Sequence, residues 1–265
     1  MNMARLQIHM ESEILRFTTQ VDIAIPEYGF AERRAGVSPE EYYSEKNKLP
    51  VMFLYHGGTG TCSDWFRFSR IEELSEEKKF IVVCPTAQNS CYTNMAYGPR
   101  WFDFINIELY DMVHSMFPAS TDPAGNFAVG LSMGGYGALK SALTYPEKYG
   151  YGAAMSSAAY IPQEVALGIC PLPDGGKSIF GDPDKVLGSD NDLFALAERL
   201  KASGRVLPKL YSACGTEDFT FEGNVKFKNH MLDLGYDFTW VQDPGSHTWD
   251  YWNDHIKMVC DWLPL

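Results

Sequence analysis

The sequence predicts an α/β chain: a mostly parallel central sheet with helices packed on both of its faces. Two observations predict it. Short apolar runs at 51–55, 80–84 and 126–130 recur between longer stretches with helical spacing. Strands that alternate with helices are joined by crossovers, which make the strands parallel and cover both sheet faces. The composition is also even along the chain. Its 265 residues are 45% hydrophobic and 21% charged, with no linker-like Pro/Gly/Ser stretch and no internal repeat, so one domain over residues 1–265 is expected.

Taken in order, residues 5–25 alternate apolar and polar side chains in two runs that stop at Pro26, the pattern of antiparallel strands at a sheet edge. Residues 27–49 are polar, with several charges, and read as an exposed loop. The run at 51–55 is apolar throughout, as in a strand buried on both faces, and is stopped by His56-Gly57-Gly58. Ser63 or Asp64 can cap a helix reaching Glu77. A strand follows at 80–84, stopped by Pro85, then a helix at 102–117, stopped by Pro118. The strand at 126–130 enters a serine-containing turn, and a helix leaves that turn from Met133 to Tyr145. Further strands are expected at 151–156, 207–214 and 236–241, with helices at 191–203, 221–234 and 249–262. Pro162, Pro171, Pro173 and Gly175-Gly176 break regular structure between Ile161 and Gly188. Residues 160–190 therefore read as a small insertion, either a cap over a site or a plain surface excursion.

Charge excludes some function classes. The 22 basic residues against 34 acidic ones give a formal charge of −12, with no Lys/Arg-rich run. Binding to nucleic acid or anionic membranes relies on basic side chains displacing counterions, so neither is expected as a partner. No apolar stretch is long enough to span a bilayer, and residues 1–9 lack the basic-then-apolar pattern of a secretion signal. Cysteines at 62, 84, 91, 170, 214 and 260 form no C-x-x-C pair, which suggests reduced, mostly buried thiols and a cytoplasmic chain. The sequence leaves a homo-oligomer open.

The segment Gly130-Leu131-Ser132-Met133-Gly134 matches G-x-S-x-G. A nucleophilic serine needs a sharp strand-to-helix turn to project its hydroxyl, and glycines on either side remove side chains that would clash there. The following helix N-terminus adds partial positive charge where an oxyanion develops. Such a serine needs a base and an acid later in the chain. Of six histidines, His9, His56 and His114 precede the serine, and His230 and His255 fall in expected helices. His247 remains, in the loop after the last strand. Asp218 and Glu217 follow the strand ending at Cys214 and stay rivals for the acid, with Asp243 as a further alternative. Two backbone donors are expected for the oxyanion. One is Met133 N–H; the other lies in His56-Gly57-Gly58-Thr59-Gly60, where Gly58 leads over Gly57 and Thr59. His56 itself reads as a buried structural side chain. Trp101 and Trp249 are candidates for lining a substrate pocket, with Trp252 three residues beyond Trp249 on the same helix face.

With these residues assembled, the chain resembles the esterase D-like group of α/β-hydrolases. The likeness rests on HGGTG at 56–60, GLSMGGYGALK at 130–140, GTEDF at 215–219 and GSHTWDYW at 245–252, in family order. It implies the α/β-hydrolase fold, with Ser132 as nucleophile, Asp218 rather than Glu217 as acid, His247 as base, and Met133 and Gly58 as oxyanion donors. No metal or organic cofactor is implied. S-formylglutathione hydrolases typically carry a histidine where this chain has Leu131 and another near Tyr136. The motifs here look more like the tributyrin/acetyl and feruloyl esterase branch. The expected activity is a serine carboxylesterase acting on a small-molecule ester, short-acyl or hydroxycinnamoyl, with esters borne on carbohydrate among the candidates. The alternative is a thioesterase of the S-formylglutathione type, or an acyltransferase, on the same three residues.

Overall fold

The computed structural model describes residues 3–44 and 46–265. Met1 and Asn2, in the segment read as leaderless, and Glu45, in the stretch read as loop, lie outside the described residues. Eight strands form one sheet: β1 (Met3–Glu11), β2 (Thr18–Pro26), β3 (Val51–Tyr55), β4 (Ile81–Pro85), β5 (Asn126–Leu131), β6 (Tyr151–Met155), β7 (Lys209–Gly215) and β8 (Phe238–Asp243). Their spatial order is β1-β2-β4-β3-β5-β6-β7-β8. β1 pairs antiparallel with β2, and β2 antiparallel with β4; every pairing from β4 to β8 is parallel. The antiparallel edge and parallel centre expected from the sequence are both present.

Side chains of β3 alternate between two cores. Phe53 and Tyr55 join the cluster on one face, and Met52 and Leu54 the cluster on the other. All five β3 residues are fully buried, and burying each large apolar side chain contributes about 1.5–3 kcal/mol. This explains why the run lacks polar alternation.

The stretch expected as a loop at 27–49 contains two short helices, α1 (Phe30–Arg34) and α2 (Pro39–Tyr42). Their caps were legible. Ser38 Oγ accepts from Glu41 N–H at 3.1 Å, and Glu32 accepts from Gly29 N–H at 3.0 Å. The single helix expected up to Glu77 is two, α3 (Asp64–Phe68) and α4 (Ile71–Lys78). Between them Ser69 Oγ donates to Trp65 C=O at 2.6 Å and Arg70 N–H donates to Asn253 Oδ1 at 2.9 Å. These bonds replace the helical ladder at the break.

The helix expected at 102–117 starts as α5 (Trp101–Asp103), passes through a π-helical segment (Phe104–Leu109), and ends as α6 (Tyr110–Met116). Lys148 Nζ donates to the Asn106 carbonyl at 2.6 Å within this wider turn. From the same segment Glu108 accepts from Ser12 Oγ–H and from the N–H groups of Glu13 and Ile14, which ties the β1–β2 turn down. The partners this π segment bonds, Lys148 and Ser12 to Ile14, are remote in sequence, so no local pattern announces it.

The central helix α7 (Met133–Thr144) follows the serine turn and is buried along almost all its length. The 160–190 insertion holds α8 (Ile161–Ala166), α9 (Lys177–Phe180) and 3₁₀ turns at Pro173–Gly176 and Pro183–Lys185. Then come α10 (Leu193–Ala202), α11 (Phe221–Asp233) and α12 (Trp249–Trp262). Residues of α3, α4 and α12 share one core cluster; residues of α6, α7, α10 and α11 share the other, so both sheet faces are covered. Among the described residues no helix is long and apolar enough to cross a membrane.

Asn191, at the far end of the insertion, is held by two buried α7 side chains. Tyr136 O–H donates to its carbonyl and Lys140 Nζ to its Oδ1, each at 2.6 Å. Burial holds the Lys140 pKa down from 10.5 to about 7. Between those values the unfolded chain binds a proton that the folded chain does not. Lys140 therefore adds stability as pH rises from about 7 toward 10.5, fully present above the unfolded pKa and lost as pH falls through the folded one. Thermal midpoints measured over that window should rise for the wild type relative to Lys140→Met; parallel curves would contradict this.

Candidate active site

The C-terminal ends of β5, β7 and β8 each deliver one side chain to the same edge of the sheet. At the end of β5 the chain turns sharply at Ser132, whose backbone is held at φ 53°, ψ −119°, before α7 begins at Met133. A non-glycine residue at positive φ is strained, and strain of this kind collects at functional turns. Two glycines make the turn physically possible. A Cβ at Gly130 would collide with the Gly134 carbonyl, and one at Gly134 with the carbonyls of Tyr55 and His56. The turn is then fastened to β6 by Ser132 N–H to Met155 C=O at 2.8 Å, and to the loop after β6 by Ala158 N–H to Ser132 C=O at 3.0 Å.

His247 lies between the other two. Its Nε2 is 2.9 Å from Ser132 Oγ, and its Nδ1 is 2.9 and 3.1 Å from the two oxygens of Asp218. An ionised carboxylate can only accept, so Nδ1–H donates to Asp218 and Nε2 is left to accept the Ser132 hydroxyl proton. Ser132 and His247 are half-buried and Asp218 is buried. Burial alone would raise the Asp218 pKa. The hydrogen bonds from His247, from Thr220 N–H and from Ser156 outweigh it and bring the pKa down to about 2.

Glu217, the rival acid, does something else. Its carboxylate accepts a hydrogen bond from Gly245 N–H at 2.5 Å. Asp243 pairs with a different histidine: its Oδ2 lies 3.2 Å from His255 Nε2. The signal that separates the neighbours was present in the sequence. Asp followed two residues later by Thr forms an Asx-turn, and here Asp218 Oδ1 accepts both the N–H and the hydroxyl of Thr220 at 2.8 Å. Glu217 is too long to close that turn.

Facing Ser132 is the loop after β3. Thr59 N–H is taken by Asn89 Oδ1 at 2.6 Å, which removes Thr59 from the candidate oxyanion donors and leaves Gly58 with Gly57. Met133 occupies the first position of α7, where a helix has no acceptor for its own N–H. His56 is a buried structural side chain: Nδ1–H donates to Gly57 C=O at 2.7 Å and Nε2 accepts from Ala87 N–H at 3.0 Å. Burial lowers its pKa, so it stays neutral.

A cleft of about 350 Å³ opens over Ser132, bounded by Gly57 to Gly60, Asp64, Leu131, His247, Trp249 and Trp252. A larger cavity of about 550 Å³ sits by the opposite ends of the strands, near Pro123, Tyr151 and Val206, far from the serine in the fold. Trp249 forms part of the cleft wall, edge-on to Trp65 and Trp252. Trp101, a candidate from sequence, does not belong there. It is wholly buried, edge-on to Phe17 and Phe104 beneath the β1–β2 hairpin, and is absent from the cleft wall. An aromatic at the start of a helix laid on a sheet faces the core unless something holds it out.

Ser156 was not legible as a site residue. It sits at φ 48° just beyond β6 and its Oγ accepts from Trp252 Nε1–H at 3.1 Å. Indole N–H is donor-only, so the Ser156 hydroxyl hydrogen remains free for Asp218, one of the groups holding that carboxyl ionised. The Trp252 ring meets His247 edge-on at 4.9 Å.

Comparison with known proteins finds close relatives. The family model described as "Putative esterase" matches residues 31–259. The chain is 32% identical over 268 residues to an acetyl esterase of Caldicellulosiruptor saccharolyticus, with 98% of each chain covered. It superimposes on FphF, a fluorophosphonate-binding serine hydrolase of Staphylococcus aureus, with a TM-score of 0.87 at 28% identity and 98% of both chains covered. An S-formylglutathione hydrolase (FrmB) of the same organism gives a TM-score of 0.83 at 28% identity, again over 98% of both chains. The architecture shared with these serine hydrolases is the α/β-hydrolase fold.

Proposed function

The chain belongs to the esterase family and is a serine carboxylic ester hydrolase, and we propose that it cleaves short-acyl esters of the acetyl kind through Ser132, His247 and Asp218. The observation that carries this reading is the unbroken hydrogen-bond chain from Ser132 Oγ through both ring nitrogens of His247 to the Asp218 carboxylate. In it His247 Nε2 takes the Ser132 proton as Oγ attacks the ester carbonyl, and Asp218 stabilises the imidazolium that forms. The N–H groups of Met133 and Gly58 receive the oxyanion. His247 returns its proton to the leaving alcohol, and water then attacks the acyl-enzyme by the same steps. Trp249, on the cleft wall, contacts the bound ester.

The 32% identity to an acetyl esterase over nearly the whole chain supports the acetyl reading. The structural likeness to an S-formylglutathione hydrolase favours a second, thioester reading on the same residues. In this proposal residues 160–190 form a small cap: Ile161, Glu164 and Pro171 border a cavity that also touches Phe219, the neighbour of Asp218. The six free thiols, five of them buried, suit a reducing compartment such as the cytoplasm.

A panel of p-nitrophenyl acetate, methyl ferulate, acetylated xylo-oligosaccharide and S-formylglutathione separates these readings. Wild-type kcat/KM should be highest on an acetyl ester, with free acid and alcohol as products. Preference for S-formylglutathione would replace the acetyl reading by the thioester one. Transfer of the acyl group to an added alcohol in preference to water would make the chain an acyltransferase.

A further inference from the structure

Glu217 stands beside the acid of the proposed triad, fully exposed, yet it makes bonds out of proportion to a surface carboxylate. Its Oε2 accepts from Gly245 N–H at 2.5 Å, and its own N–H donates to Gly245 C=O at 3.0 Å. Thr216 Oγ1–H orients the second carboxylate oxygen at 2.9 Å. Gly245 lies two residues before His247. From residue 244 to residue 247, among the described residues, these two bonds with Glu217 tie the main chain of the His247 loop to another element, and just before it Thr216 N–H donates to Asp243 C=O at 2.9 Å.

The close approach of the two loops is built into the sequence. A Cβ at Gly215 would collide with the Gly245 carbonyl, and a Cβ at Gly245 would run into the Tyr251 ring. Both positions therefore exclude side chains so that the backbones can meet. The β7–α11 loop thus holds the β8–α12 loop in two ways from adjacent residues: Asp218 grips the imidazole, and Glu217 grips the backbone that carries it. The amide of Gly245 also keeps the Glu217 carboxyl below the ordinary carboxylate range, so it stays a charged acceptor at neutral pH.

We propose that Glu217 is a positioning residue for His247: its carboxylate clamps Gly245 so that Nε2 stays within hydrogen-bond reach of Ser132 Oγ. The inference rests on the reading of His247 as the base. A loop base displaced by about 1 Å loses proton-transfer geometry, which can cost roughly 100-fold in rate, while an exposed hydrogen bond contributes little to overall folding.

The test compares Glu217→Ala, Glu217→Gln and His247→Ala on p-nitrophenyl acetate, with thermal midpoints recorded for each. Glu217→Ala should lower kcat by about ten- to a hundredfold with KM within about threefold of wild type and an almost unchanged midpoint. Glu217→Gln keeps an amide oxygen that can accept from Gly245 N–H, so it should recover most of kcat. If Glu217→Ala keeps kcat within twofold while His247→Ala is inactive, the clamp is overturned and the triad reading stands. Equal losses in Glu217→Ala and Glu217→Gln would overturn the clamp as well, because the acceptor would not be what matters. An active His247→Ala would instead overturn the reading on which the inference rests.

Discussion

Replacing Ser132 with alanine should lower kcat/KM on p-nitrophenyl acetate by roughly four to six orders of magnitude. The size follows from what the substitution removes. In the proposed mechanism Ser132 Oγ forms the acyl bond, and it lies 2.9 Å from His247 Nε2. Without it only the oxyanion donors and substrate binding remain, and these hold a residual rate of about 10³ over water. Folding should survive. Serine and alanine have similar bulk, Ser132 is half-buried, and the positive-φ turn is imposed by the tight packing of Gly130 and Gly134 against their neighbours. Circular dichroism matching the wild type would separate lost chemistry from lost structure. Activity within tenfold of wild type would remove Ser132 from the mechanism.

Asp218→Asn should cost about 10⁴ in kcat. The asparagine would keep an oxygen for Thr220 N–H and Oγ1–H, which both converge on Asp218 Oδ1, and so would turn its NH₂ toward His247 Nδ1. A donor there forces the ring proton onto Nε2, where it blocks acceptance of the Ser132 proton. The same variant tests the acidic side of the stability curve. Asp218 is ordinarily a carboxyl of pKa 3.8, held at about 2 in the folded chain by its hydrogen-bond donors against the opposing effect of burial. Its stabilising contribution is present above the unfolded value and lost as pH falls through about 2. Between pH 4 and 2 the wild type should therefore lose stability relative to Asp218→Asn, read from thermal midpoints at matched ionic strength. A constant difference across that range would contradict the assigned ionisation.

Much of the sheet was legible because its signals are local. The β3 run is apolar at every position since it has a core on each face, and the alternation in β1 marks an edge strand with one wet side. Short helices at 30–34 and 39–42 escaped because they bury no residue and so leave no periodic stripe, although their caps could be read. The break between α3 and α4 bonds to Asn253, and the π turn at 104–109 bonds to Lys148 and Ser12, partners remote in sequence.

Ser132, Asp218 and His247 could be singled out because each needs a particular place in the chain: after a central strand, after a later strand, and in the last loop. The structure brings these three together. Position along the chain alone could not divide the labour between Asp218 and Glu217, since adjacent residues share every positional argument. Side-chain length separates them: aspartate closes a turn on Thr220, while glutamate reaches Gly245. Trp101 failed as a cleft residue for a related reason. An aromatic near a motif carries no label for the face it will occupy, and this one turned into the core. Ser156 and Asn89 had no motif at all, and only their bonds to Trp252 and Thr59 reveal them.

The central claim is that Ser132 is the nucleophile, activated by His247. It is tested most directly by treating the wild-type protein with a fluorophosphonate and mapping the adduct by peptide mass spectrometry, with His247→Ala alongside. The account predicts one phosphonyl group per chain on the peptide containing Ser132, and labelling slowed at least a hundredfold in His247→Ala. An adduct on another residue, or no adduct on an enzyme that still hydrolyses p-nitrophenyl acetate, would contradict it.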